Sequence, residues 1–481
     1  MNSAPGPAAP SRVRYGILFL LCTLAMITYM DRAANGSARD AIMSDLNDAQ
    51  VLAYADASPE VMKSKLFDKN DFFWVLMAFQ FAYAIFEIPS GWLGDTRGPR
   101  STLLRVVLWW TAFVALTGFT GMTLPVVGFV GFTGLIVIQF LFGVGEAGAF
   151  PNISKALYNW FPSTDRGFAK SAIWMSARFM GGLTPLIWVL LTDPLLGGLG
   201  WREAMWLFAS AAGIWCVVFY FAFTNRPGEH RKVNAAELAE IDVARSETAA
   251  HAGVPFAKIF RSRNLLALCG MYVVTNFCWY FLMYFLPGEL KSQFPEWNKS
   301  VGGKLMLALL SGAPLLIGIG GCYLGGILSD LYIKSTGDRK WGRRILGMVG
   351  YGGAGLCYFA AAGVKFADPN NLWLFAGLVI LMGFMNDLIM APAWATCQDI
   401  GQKYAATVAG TRNMVGNLVG AVSGIFVTGW IRKHYPDTDG ILILFTIYGT
   451  VYFLGVGLWL FIDASKPIVP DDDQAGTAAS R

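Results

Sequence analysis

Apolar runs of about 20 residues, the length a helix needs to cross a bilayer, recur along most of this chain. Hydrophobic residues make up 55% of the 481 and charged residues only 14%, where soluble domains run nearer a quarter charged. The reading is an all-α membrane protein with twelve spans. They fall near 15–38, 72–93, 102–122, 126–151, 167–191 and 203–224, then near 264–288, 305–331, 344–364, 372–397, 404–430 and 441–463. The first run is long and lacks a small-residue cleavage site, so it reads as a retained helix and not as a signal peptide.

Lysine and arginine bias in the loops sets the expected orientation. With the N-terminus inside, the densest basic clusters, Arg226 to Arg263 and Lys334 to Arg344, both fall on the inner side, and both termini are cytoplasmic. The seven cysteines all lie in apolar segments without a CxxC pair, which argues against disulfides and structural zinc. His230, His251 and His434 lie in polar segments. Proton chemistry at membrane depth therefore falls to carboxylates.

A polar linker, "RPGEHRKVNAAELAEIDVARSE", separates the sixth and seventh runs. Asn234 followed three residues later by Glu237 predicts a capped surface helix. The expected division is 1–224, a linker at 225–263, and 264–481. The halves resemble each other. "SGWLGDTRGPR" (90–100) corresponds to "GGILSDLYIKSTGDRKWGRR" (325–344), pairing Asp95 with Asp330. "GEAGAFP" corresponds to "NDLIMAP", pairing Pro151 with Pro392. A parallel repeat of two six-helix bundles, with a site between them near the midplane, is a transporter plan.

Ionisable residues inside spans are rare and functional by default. Adjacent helical residues point about 100° apart, so Asp31 and Arg32 cannot neutralise each other; each needs another partner or a wet cavity. Glu146 lies roughly 20 Å along a helix from Trp160, near the expected midplane if that helix continues through Pro151. Low dielectric disfavours a lone carboxylate charge, which suits a group that loads and releases a proton. Asp387 stands five residues before Pro392, as Glu146 stands five before Pro151. Asp31, Glu146 and Asp387 are the proton-coupling candidates. Arg178 lies too deep in the fifth run to snorkel easily and can grip a carboxylate through two parallel hydrogen bonds. Arg412 starts nearer the inner face, as a gate or pairing residue. The rival readings are snorkelling or pairing with a carboxylate for the two arginines, and a permanently protonated, hydrogen-bonded Glu146.

The motifs also carry a resemblance. G-x-L-x-D-x-x-G-x-R, here Gly91 to Arg100, resembles the signature loop of the major facilitator superfamily. "YMDR" (29–32), "GEAGAFPNISKALYNWFPSTDRGFAKS" (145–171), "EHRKVNAAELAEI" (229–241), "NFCWYFLMYFLP" (276–287) and "GTRNMVGNLVG" (410–420) resemble its anion:cation symporter family. That family includes hexuronate, galactonate and glucarate permeases and sialic-acid carriers. The resemblance implies proton coupling at Asp31 and a substrate-gripping role for Arg32. It places Asn276, Trp279 and Asn413 on the cavity, with helix–helix hydrogen bonding the bland alternative for the asparagines. Asp95, Arg97, Arg100 and Asp330 become gate residues, with Glu87 in the same network. The chain departs from the family at Gln139, where many members carry a substrate-clamping arginine; Arg178 would replace that clamp, or the substrate is less anionic. Asn35 sits one step late, and the outer loop at 39–71 is longer and more acidic than usual.

The implied activity is proton-coupled symport of a small organic anion, a sugar acid such as a hexuronate or aldonate, by alternating access. The alternative is a proton antiporter or facilitative carrier for a less anionic or aromatic acid. HExxH, GxSxG and a cysteine–histidine constellation are all missing from the sequence, which argues against a membrane enzyme. So is a P-loop, which argues against ATP drive. The expected setting is a bacterial-type inner membrane, with a monomer as the working unit and no cofactor, metal or nucleic acid.

Overall fold

The computed structural model of the protein describes residues 9–56, 58–124, 128–162, 165–243, 256–402 and 405–468. The chain divides into two compact units, Met1–Ala252 and Gly253–Arg481. The first unit holds α1 (Val13–Ala53), α2 (Pro59–Lys65), α3 (Phe73–Arg97), α4 (Pro99–Thr117), α5 (Phe132–Glu146), α6 (Ala149–Trp160), α7 (Arg166–Thr192), α8 (Trp201–Ala222) and α9 (Ala235–Val243). The second holds α10 (Phe256–Phe260), α11 (Arg263–Tyr280), α12 (Leu286–Gln293), α13 (Val301–Thr336), α14 (Arg339–Ala367) and α15 (Leu372–Leu388). It continues through α16 (Met390–Gly401), α17 (Ala405–Val415), α18 (Val422–His434) and α19 (Thr438–Trp459). Two π-helical turns, Phe281–Phe285 and Gly416–Ala421, interrupt the second unit's helices. Among the described residues the fold is helical but for one ribbon of two-residue strands, β1 (Thr123–Leu124) against β2 (Gly128–Phe129), antiparallel with Thr123 opposite Phe129.

Among the described residues, eleven helical segments are long and apolar enough to cross a membrane, five in the first unit and six in the second. The missing one is the expected span at 102–122. It falls on α4, 19 residues long, whose first turns carry Arg100, Ser101 and Arg105 and dilute its apolar content. At the other extreme, α1 runs for 41 residues, so much of the expected outer loop is a continuation of the first helix. Asp45 anchors that extension: it takes a hydrogen bond from the Trp201 indole at 2.9 Å and pairs with Arg202.

The fourth and tenth runs are not continuous helices. α5 ends at Glu146 and α6 begins at Ala149; α15 ends at Leu388 and α16 begins at Met390. Proline explains both breaks. Pro151 and Pro392 have no N–H to give the carbonyls of Ala147 and Leu388 four residues back, and their rings crowd those carbonyls. Each is therefore the third residue of a new helix, where a missing donor costs little. The matching breaks leave an acid at each helix end, Glu146 in one unit and Asp387 in the other.

The repeat also appears in packing. In the first unit α1 packs on α7, α3 on α5, and α4 on α8. In the second, α11 packs on the 416–421 turn, α13 on α15, and α14 on α19. The small residues of α13 allow this closeness: a side chain on Gly321 or Gly325 would run into the backbone of Phe384 or Leu388.

Two polar knots hold segment ends. Asn234 accepts from the Glu237 amide at 2.9 Å, the expected first half of a capping box. The Glu237 carboxylate does not turn back as expected. It is fully buried and accepts from the amides of Val13 and Arg14, both at 3.0 Å, capping the start of α1. In the second unit Glu289 and Arg432 form a buried pair at 2.7 Å, and Arg432 also donates to the carbonyls of Tyr435, Pro436 and Asp437. Removing one partner of a buried pair strands the other charge, at about 3–5 kcal/mol. Glu289→Ala should lower the thermal unfolding temperature of the detergent-solubilised protein strongly, and Glu289→Gln, which keeps an acceptor, clearly less. Equal shifts would contradict this account.

Candidate functional site

In the first unit Arg32 of α1 meets Glu146 at the end of α5, with Nε 2.5 Å from Oε1 and both side chains buried. The guanidinium lies in a cup of rings, 4.4 Å from the Tyr83 centroid, 5.5 Å from Phe79 and 5.7 Å from Tyr29. The second carboxylate oxygen of Glu146 is buried without a hydrogen-bond donor. Asp31 points elsewhere, as adjacency on a helix requires. It is buried beside the Trp110 indole and within the electrostatic reach of Glu146. Neither of its oxygens has a donor at regular hydrogen-bond geometry. Two acids and one arginine thus share a site with little water to screen them.

Gln139, two turns before Glu146 on the same face of α5, has a different occupation. Its amide nitrogen donates to Asn35 at 3.2 Å and to Thr117 at 3.1 Å, and the Asn35 amide returns a bond at 3.4 Å. Both donors are spent inside the unit, so Gln139 acts in this conformation as a neutral tie between α1, α4 and α5. Asn35, noted in the sequence only as a displaced residue, is its partner. Arg178 on α7 is buried, as its depth in the run suggests.

In the second unit Asp387 is fully buried; Asn386 donates to it at 3.1 Å, and Asn386 in turn accepts from the Tyr452 hydroxyl at 2.8 Å. It packs against Gly318 of α13, where any side chain would displace it. Asn276 donates to Asn417 at 3.0 Å, and Tyr280 donates to the same oxygen at 3.3 Å. Asn276 thus ties α11 to the 416–421 turn through Asn417. Trp279 is buried two helical positions before the Phe281–Phe285 π turn, and Asn413 on α17 is partly exposed. Arg412 is fully buried between the rings of Trp394 and Tyr272. It neither snorkels nor pairs with a carboxylate among the described residues.

Of the expected gate residues, Arg97 and Arg100 sit where α3 gives way to α4, while Glu87 and Asp330 lie within α3 and α13. Arg100 donates to the Tyr220 carbonyl at 2.5 Å, and its amide donates to Asn225 at 2.9 Å, tying the start of α4 to the end of α8. Arg97 is exposed, Glu87 is half-buried beside Tyr83, and the side chain of Asp95 lies outside what the structure describes. Asp330 pairs with Arg343 at 3.0 Å, and Arg343 also reaches Asp399 at 3.2 Å.

The family model of the Major Facilitator Superfamily matches residues 21–424. The chain belongs to the major facilitator superfamily. It is 30% identical to the probable sulfoacetate transporter SauU of Cupriavidus necator, over 97% of both chains. It is 26% identical to the probable galactarate/D-glucarate transporter GudP of Bacillus subtilis, over 90% of this chain and 88% of that one. These relatives agree with the resemblance to the anion:cation symporter family. Among solved structures it is similar to a D-xylose-proton symporter, at a TM-score of 0.68 and 15% identity, over 94% of this chain and 98% of that one. The fold is that of the superfamily, and this integral membrane protein is a transporter and not an enzyme.

In this member of the superfamily the charged residues were visible in sequence and their aromatic surroundings were not. Tyr83, Trp110, Tyr272 and Trp394 were lost among the 14% of aromatic residues, which line membrane helices for many reasons. A buried ion pair replaced by apolar residues of similar size is often near neutral, whereas single removals cost about 3–5 kcal/mol. Arg32→Met and Glu146→Leu should each destabilise by about that much in denaturation of the solubilised protein, and the double variant should recover most of the loss. Additive losses would show that the two residues do not act as a pair.

Proposed function

We propose that the protein is a secondary active transporter that carries a small organic anion together with protons by alternating access. A sugar acid, a hexuronate or an aldonate, is the first candidate class. The Arg32–Glu146 pair carries this reading. While Glu146 is ionised, it occupies the arginine. A proton on Glu146 cancels the charge attraction and frees guanidinium donors for a carboxylate of the substrate, which matches their fork. Binding of proton and anion is thereby linked through one side chain. Asp31, beside the pair, is the second proton carrier, and Asp387 holds the equivalent place at the other proline break. Arg178 is a second ligand for the anion, in the role that Gln139 leaves vacant. Trp279 and Asn413 bring a ring face and an amide suited to a hydroxyl-rich ligand.

The relatives support the substrate class: the names they carry refer to sulfoacetate and to galactarate and glucarate, all small acids. The architecture follows the same reading. α4, at 1.5 Å per residue, is roughly 28 Å long and close to the roughly 30 Å of a hydrocarbon core. With it counted, the chain has twelve spans in two six-helix bundles. Both termini face the cytoplasm of a bacterial-type inner membrane, and the monomer is sufficient. Asp95, Arg97, Arg100, Glu87 and Asp330 act at the inner gate.

In proteoliposomes, Glu146→Gln should still exchange labelled substrate across the membrane but lose accumulation driven by an inward proton gradient. Gradient-driven uptake at the wild-type rate in that variant would remove Glu146 from the coupling step.

A further inference from the structure

Arg412 stands apart from the other well-buried arginines of its unit. Arg432 spends its donors on Glu289 and three backbone carbonyls. Arg343 spends its own on Ser329, Asp330 and Asp399. Arg412 has no exposed surface, and among the described residues none of its three guanidinium nitrogens has a hydrogen-bond partner. What it has is two rings: the guanidinium carbon lies 4.1 Å from the Trp394 centroid and 4.3 Å from the Tyr272 centroid. These rings engage the cation but leave its in-plane N–H donors unused. Such contacts return about 2 kcal/mol when desolvated, while an unmatched buried charge costs several kcal/mol. An anion would meet both the charge and the open donors of an arginine clamped in this way.

The local backbone agrees. Four residues after Arg412 the helix passes into the π turn Gly416–Ala421, a departure that occurs frequently at functional sites. Asn417 in that turn is held by Asn276 and Tyr280, so the turn has a fixed polar interior. Gly416 lies against Tyr272, and a side chain there would strike the ring that flanks the arginine.

We propose that Arg412 is the oxyanion-binding residue of the second unit. Tyr272 and Trp394 orient its guanidinium so that the free donors receive a carboxylate or sulfonate of the transported acid. This replaces a gating role for Arg412 and rests on the reading of the protein as an organic-anion transporter. Guanidinium offers two parallel donors to such a group and an ammonium does not, so lysine is a poor substitute.

The test uses the purified full-length protein, with calorimetric binding of D-glucarate, D-galacturonate and sulfoacetate and thermal unfolding without ligand. For Arg412→Gln, affinity for the acid bound best by wild type should fall about tenfold to a hundredfold, as expected for a lost charged hydrogen bond. The unliganded variant should unfold at or above the wild-type temperature, because an unmatched charge has been removed. Arg412→Lys should bind more weakly than wild type as well. Wild-type affinity in Arg412→Gln, or a lowered unfolding temperature or failure to fold, would make Arg412 structural and overturn the proposal while leaving the transport reading intact. If wild type binds none of the three acids, the transport reading for these acids fails, and this inference with it.

Discussion

Inside a bilayer there is no water to answer a charge, so every ionised group must find its counterpart in the protein or in a ligand. Much of this chain's architecture is arranged around that requirement. Glu289 and Arg432 answer each other, and the carbonyls of a nearby turn take up the arginine's remaining donors. Arg32 and Glu146 answer each other inside a cup of aromatic rings, and in both pairs one carboxylate oxygen has no donor among the described residues. Asp31 sits beside Arg32 and Glu146 with no cation of its own. The surroundings of the two arginines differ. Arg432 is fixed by backbone carbonyls as well as by its carboxylate, whereas Arg32 is surrounded by the faces of aromatic rings.

The paired breaks at Pro151 and Pro392 serve the same end. A continuous helix would keep its backbone groups bonded to each other and present only side chains. A helix that stops at Glu146 or Leu388 releases backbone groups beside a carboxylic acid, at the same place in each repeat. Proline is the economical way to do this, because it removes a donor and distorts the preceding turn in one substitution. The same helix pairings in the two units then place each break against equivalent neighbours, α3 in one and α13 in the other.

Much of this was legible in the amino-acid sequence. Apolar run length located eleven of the twelve expected spans. Charge in apolar context picked out Asp31, Arg32, Glu146, Arg178 and Asp387, all of them buried. What escaped was whatever depends on distance across the fold. α1 outruns its apolar stretch because Asp45 is held by Trp201 and Arg202 from far along the chain. Gln139 reads as a missing clamp until Asn35 and Thr117 are seen to use its donors. Arg412 reads as a gate by its place near a helix end, and only the flanking rings of Tyr272 and Trp394 argue otherwise. No local pattern announces which aromatic will face which cation.

The cap that Glu237 places on α1 joins residues 223 positions apart. At about 5–20 residues per second of synthesis, some ten to forty-five seconds separate the appearance of the first helix from that of its own cap. For all that time the beginning of α1 exists without the carboxylate that completes it. The first unit is thus finished at its starting point, by the segment that leads out of it. A ribosome paused just before Glu237 would hold a chain whose helices α1 to α8 have all been made and whose first one is still open at its end.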